Sequence, residues 1–160
     1  MAPDVRVTVR GLVPTPTGCG VFLGAGEKVM AIFVDHGVGA AMTMALHQLK
    51  APRPLTHELM TQVLEGLGAR VQKVVINAVQ DEVFFARLFI GQSNELGRCV
   101  VEIDARPSDA ITLALRQDRP IYVAAAVWAQ VEDMTWFLRK AEQQDDVEPP
   151  AGDPPPAAPT

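Results

Sequence analysis

Residues 71–90 read VQKVVINAVQDEVFFARLFI. Two runs rich in β-branched and aromatic residues, Val71–Val79 and Val83–Ile90, flank the polar pair Asp81-Glu82. This is the pattern of a strand, a tight turn and a returning strand, although the turn lacks the glycine such turns favour. Downstream, Gly91–Gly97 is a turn, Arg98–Ile103 a third strand, and Pro107–Arg116 a helix with Ile111, Leu113, Ala114 and Leu115 available to a core. Pro120–Val123 reads as a short last strand. Ala124–Gln143 reads as one or two helical pieces packed through Trp128, Met134, Trp136 and Phe137.

Upstream the same order appears. Val5, Val7 and Val9 alternate with polar residues as a half-buried strand does. Gly11–Gly20, with Pro14 and Pro16, reads as a turn-rich connection, followed by strands at Val21–Leu23 and Val29–Val34. Gly37 and Gly39 open a helix to Leu49 whose buried face is expected at Ala40, Ala41, Met44, Ala45 and Leu49. Pro52 and Pro54 end it. Thr56 is read as the N-cap of the next helix, which runs to Gly66 or Gly68 with Leu59, Val63 and Leu67 inward. The fold class is therefore α+β: a mixed, mostly antiparallel sheet with helices packed on it. The strand-strand-strand-helix order occurs twice and reads as an internal duplication.

The 160 residues predict one folded body over 1–131, a helical extension over 132–144 and a disordered acidic, proline-rich tail over 145–160. The tail holds six of the thirteen prolines and no aromatic residue, too little apolar surface to offset the entropy of ordering it. Charge divides the same way. From Glu132 onward seven acids face only Arg139 and Lys140, so the net charge of −5 sits there and the body, with 12 acids and 12 bases, is neutral. A neutral body does not draw in polyanions by bulk charge, so any nucleic-acid binding has to come from a local cluster. No window carries the ~18 uninterrupted apolar residues of a membrane span, and the first residues show no export pattern. The expected setting is soluble and cytoplasmic, with no membrane partner. Cys19 and Cys99 are far apart in sequence and are expected to be free thiols.

The polar residues that could do chemistry gather at two helix starts. Arg53, Thr56, His57 and Glu58 form the first group; Glu102, Asp104, Arg106, Ser108 and Asp109 form the second. Each start carries an Arg-Pro pair, Arg53-Pro54 and Arg106-Pro107. Proline suits the first helical position, and free amides at a helix start favour anions. Two such ends brought together would make a small anion pocket. Phosphodiester cleavage needs an activated water, a positive group against developing charge and a proton source. Carboxylates can hold Mg²⁺ or Mn²⁺, a histidine can move protons near neutral pH, and an arginine fork matches phosphate. No fixed metal-ligand spacing is present. A structural reading competes: Thr56 as a cap, Ser108 and Asp109 as first-turn residues, and the arginines as ion-pair partners of the acids. His47 reads as an idle helix residue, and His36 as a loop residue.

The segments Arg53-Pro54-Leu55-Thr56-His57-Glu58-Leu59 and Ile103-Asp104-Ala105-Arg106-Pro107-Ser108-Asp109-Ala110-Ile111, and the later Pro120-Ile121-Tyr122-Val123, resemble the signature stretches of the bifunctional nuclease family. The resemblance runs from Val5 to Val131. It implies a mixed α+β fold, cleavage of both DNA and RNA, and a homodimer. Position by position, Arg53, Thr56, His57, Glu58, Asp104, Arg106, Ser108 and Asp109 match the family's polar signature. Two positions depart from it. Val38 stands where the family usually has an acid after the third strand, with Asp35 and His36 on the same loop as substitutes. Glu58 stands where an aspartate is common.

Two functions follow. In the preferred one the protein is a metal-assisted nuclease. Asp104, Asp109 and Glu58 hold Mg²⁺ or Mn²⁺ or position water, and His57 is the acid or base. Arg53 and Arg106, with Thr56 and Ser108, hold the phosphates. In the alternative it is a non-catalytic binding or regulatory module whose polar residues stabilise the helix starts.

Overall fold

Residues 2–145 are described by the structure, a computed structural model; Met1 and residues 146–160, almost all of the expected tail, lie outside the described residues. The chain runs β1 (Val5–Thr15), β2 (Gly18–Ala25), β3 (Lys28–Val34), α1 (His36–Leu46), α2 (Thr56–Gly66), β4 (Ala69–Gln80), β5 (Val83–Asn94), β6 (Gly97–Ala105), α3 (Pro107–Arg116), β7 (Ile121–Val123), α4 (Ala125–Gln130) and α5 (Thr135–Asp145). The strands form one sheet in the order β3-β2-β1-β7-β4-β5-β6. All neighbours are antiparallel except β4 and β7. Each three-stranded meander thus has its first strand at the centre, beside β7, and its third at an edge.

The hairpin expected around Asp81-Glu82 forms, with Gln80 paired to Val83. Both turn residues have positive φ, 49° and 64°. That is the backbone a two-residue hairpin needs to match strand twist, adopted here without glycine. The first meander differs from expectation. Residues 11–15 continue β1 and residues 18–20 begin β2, so the connection shrinks to Pro16-Thr17, and Pro14 sits in register with Cys19. Among the described residues, β1 beyond Val7 pairs only with β2. A strand open on one side tolerates proline.

The main core lies between the sheet and α1 and α3. It includes Val7, Leu23, Met30, Met42, Val71, Val74, Ile76, Leu88, Ile111, Leu113 and Val123. Helix α3 contributes most, burying seven of its ten residues. The buried face of α1 is Gly39, Met42 and Ala45; Ala40 and Leu49, expected inside, are exposed. Gly39 permits this packing, because a Cβ there would lie 2.6 Å from Cys19 Cβ. A second cluster joins Phe22, Val29 and Leu138, with Phe137 stacked on Phe22 at 5.7 Å. Trp136, expected to pack, is exposed.

Helix α2 is the main exception. Leu59, Val63 and Leu67, expected inward, are each more than half exposed, and no residue of α2 is buried. The periodic spacing identifies an apolar stripe without saying what covers it. The edge strand β6 is open as well. Val101 and Ile103 stand opposite Ile90 and Leu88, which are buried, so they point toward the helix-bearing side of the sheet. Among the described residues no helix covers them.

Candidate active site

Three helices begin within one region, each at the end of an extended segment. Asp35 caps α1, its carboxylate accepting from Val38 N at 2.8 Å. The cap of α2 is Leu55, and Thr56 is its first helical residue, not the cap that its hydroxyl suggested. Glu58 explains the difference: its Oε2 reaches back to accept from Leu55 N at 3.2 Å. Arg106 is the cap residue of α3, with Pro107 in the first turn, as its missing N–H allows. Counted from the caps, Val38, Glu58 and Asp109 occupy the same third position of their helices. The acid absent at Val38 is therefore the counterpart of two that are present.

The starts of α2 and α3 meet through His57 and Asp109. His57 Nε2 lies 3.1 Å from Asp109 Oδ1. An ionised carboxylate only accepts, so Nε2 carries the proton. In the tautomer with its proton on Nε2, Nδ1 is an acceptor that has no hydrogen-bond partner among the described residues. On its other side Asp109 takes a two-pronged bond from Arg106, with Nε to Oδ2 at 2.8 Å and Nη2 to Oδ1 at 3.2 Å. Burial pushes the Asp109 carboxyl up, but the bonds from Arg106 and His57 outweigh it and hold it below the ordinary carboxylate value. The bond to Asp109 in turn raises the Arg106 guanidinium, and the charge of Asp35 adds to this. His57 is mostly buried, 16% exposed, whereas Arg106 is 69% exposed.

A groove of about 860 Å³ meets this trio at Arg106, without His57 or Asp109 in its lining. Arg106, Pro107 and Ser108 form part of its wall; Met30, Phe33, Val79 and Phe84 provide an apolar floor. The aromatic residues carry no sign of this role in the sequence, where they read as strand core. Phe33 is more than half exposed.

The remaining predicted residues lie elsewhere. Glu58 Oε1 faces Arg116 Nη1 at 3.5 Å, with both side chains about nine-tenths buried. Asp104, 71% exposed on β6, pairs across the strands with Arg87 at 3.8 Å, as does Glu102. Arg53 is exposed before α2 and has no ion pair among the described residues. Ser108 is buried, and its carbonyl accepts from Thr112 Oγ1. The three carboxylates expected to share a metal are thus held by three different arginines. Among the described residues no three His, Cys, Asp or Glu side chains are grouped as a metal site requires. The donor set of the described residues does not fit a divalent cation as it stands.

Residues 21–134 match the family model of the bifunctional nuclease domain. Similar proteins include an uncharacterized protein of Mycobacterium tuberculosis (strain ATCC 25618 / H37Rv), 33% identical over 105 residues, which is 66% of this chain and 60% of that protein. Bifunctional nuclease 1 of Arabidopsis thaliana is 32% identical over 95 residues, 59% of this chain and 29% of the plant protein. Bifunctional nuclease of Oryza minuta is 29% identical over 100 residues, 61% of this chain and 29% of that protein. The chain thus spans about three fifths of the mycobacterial relative and under a third of the plant ones.

Proposed function

The chain belongs to the bifunctional nuclease domain family, and on that premise we propose that it hydrolyses phosphodiester bonds of DNA and RNA at the His57–Asp109–Arg106 cluster. The observation that carries the reading is the His57–Asp109 bond. Asp109 fixes the tautomer and orientation of the imidazole, leaving Nδ1 to take a proton from an attacking water. As the water oxygen bonds to phosphorus, the bond to the leaving sugar oxygen breaks, and the imidazolium returns a proton to that oxygen. Arg106 has donors left after its bonds to Asp109 and stands on the groove wall. Those donors meet the charge that builds on the phosphoryl oxygens. Exposed Phe33 and half-buried Phe84 offer faces on which bases stack without regard to sequence.

Mg²⁺ or Mn²⁺ enters this reading only as a counter-ion carried by the substrate's phosphates, because Glu58, Asp104 and Asp109 each have an arginine. The alternative, a non-catalytic binding module, is favoured by Val38 at the third position of α1 and by the same arginine pairs. Substitution of His57 by alanine separates the two. Lost cleavage with retained folding supports hydrolysis at this site; unchanged cleavage removes it.

The reading includes a homodimer. The exposed α2 stripe of Leu59, Met60, Val63 and Leu67, with uncovered Val101 and Ile103, is apolar surface of the kind that a second copy buries. Among the described residues no helix is long and apolar enough to cross a membrane. Free Cys19 and Cys99 fit a reducing, cytoplasmic setting.

A further inference from the structure

The opposite end of α3 opens on a second cleft, of about 890 Å³. Its walls come from β4, β5, β6 and the segment following α3, and they carry Arg70, Arg98, Arg116 and Arg119. Among the described residues, Glu65 is the one carboxylate on its lining. Arg116 is occupied by Glu58 and by the Leu49 carbonyl. Arg70, Arg98 and Arg119 have no ion pair among the described residues. Within the same wall, Nε of Arg116, Nε of Arg119 and Nε2 of Gln117 are buried and lack hydrogen-bond partners. Buried donors left unmatched are uncommon. The sheet is deformed here too. Gln72 is an extra residue in β4, and its side chain lies over Gly91, where a Cβ would come within 2.3 Å of Nε2. Bulges of this kind gather next to binding sites.

We infer that this arginine cleft binds the phosphate backbone of a single nucleic-acid strand, as a subsite separate from the cleavage centre. The cleft is donor-rich, short of carboxylates and without an aromatic ring in its lining, which suits phosphate and not bases. It supplies the local basic cluster that a neutral body needs to hold a polyanion. Its position relative to the cleavage centre suits a strand. Asp109 and Arg116 are seven residues apart, so they lie on one face of α3, about 10 Å apart along the axis. Neighbouring residues of α2 touch them both: His57 meets Asp109 and Glu58 meets Arg116. One strand lying along α3 can therefore reach both ends of the helix. The identity of the ligand as nucleic acid rests on the nuclease reading; the cleft's taste for phosphate does not.

The test uses the full chain and a fluorescent, phosphorothioate-linked single-stranded oligonucleotide, which resists hydrolysis. Binding is followed by anisotropy against salt concentration. The comparison is a double variant, Arg70→Ala with Arg98→Ala, both exposed on strands, whose fold is checked by circular dichroism. The expected result is affinity lower by roughly tenfold or more. The slope of log affinity against log salt should flatten by about 0.7 for each phosphate that the variant no longer neutralises. Cys99 lines the cleft and is exposed, whereas Cys19 is buried. Bound oligonucleotide should therefore protect Cys99 from alkylation. Unchanged affinity and slope overturn the proposal. So does equal protection by a mononucleotide or inorganic phosphate at the same phosphate concentration, which would make the cleft a small-anion site. Cleavage of an ordinary oligonucleotide is measured in parallel. Absent cleavage with cleft-dependent binding fails only the nuclease reading, whereas cleavage with cleft-independent binding fails only the subsite.

Discussion

His57 and Asp109, 52 residues apart in the chain, are joined by a 3.1 Å bond between the first turns of two different helices. Neither helix start alone holds a base and the group that orients it. Packing α2 against α3 makes the pair, and Arg106 locks it from the other side. If the site is catalytic, Asp109→Asn keeps the volume but removes the charge that holds the proton on Nε2. Cleavage should fall by about 10²-fold or more. Mutant and wild-type rates on one oligonucleotide check this.

Glu58 should behave differently from Asp109. Its carboxylate closes the first turn of α2 and faces a nearly buried arginine. Glu58→Ala would leave the Arg116 charge buried beside Leu49, a loss on the order of 3 kcal/mol. For a domain of this size that lowers the melting temperature by roughly 6–12 °C. Calorimetry of the variant is the check, and a shift below ~2 °C would make Glu58 dispensable for stability.

Acid should weaken the His57–Asp109–Arg106 cluster at a definite place. The Asp109 carboxyl titrates below its ordinary value of 3.8 in the folded protein. Its contribution to stability is therefore complete above that value and is lost as pH falls through the lower, folded-state one. The titratable and charged groups facing it are Arg106, His57 and, through Arg106, Asp35. Wild type should exceed Asp109→Asn in stability at neutral pH, with the gap closing only below pH ~4. Urea titrations at several pH values measure the gap.

Gly39 matters through packing alone. Gly39→Ala pushes a methyl to 2.6 Å from Cys19 Cβ, between α1 and β2. Separating them should lower stability by about 1–3 kcal/mol. Denaturant midpoints at unchanged slope would show it.

If the open apolar stripe is a dimer face, Val63→Asp should convert a dimer to a monomer while leaving the β-sheet signal intact. Light scattering after gel filtration reads the mass directly. A wild type that is already monomeric contradicts the dimer.

Much of the fold is legible in the sequence because strands and helices here follow their periods. The hairpin at Asp81-Glu82 and the buried helix after Pro107 can both be read from spacing alone. Pro14 and Pro16 suggest a connection because proline removes a donor; only the sheet order reveals that β1 has a free side there. The stripe on α2 is visible, but its exposure is not, since periodicity does not identify a partner. At the site, the residue types of both helix starts are legible, and so is the idea that the two ends could meet. Which acid meets which arginine is not. Asp104, Asp109 and Glu58 are alike in sequence and differ only in their neighbours Arg87, Arg106 and Arg116. The arginine cleft escapes notice because Arg70, Arg98, Arg116 and Arg119 come from separate segments in a chain whose body is neutral overall.

Hydrolysis at the His57–Asp109 pair stands or falls on one assay. Highly purified full-length protein is incubated with single-stranded DNA, double-stranded DNA and RNA, in Mg²⁺, in Mn²⁺ and in chelator, with His57→Ala purified in parallel. Cutting of DNA and RNA by wild type alone, with the variant folded, is the predicted result. Equal cutting by both proteins, or none by either, would contradict it.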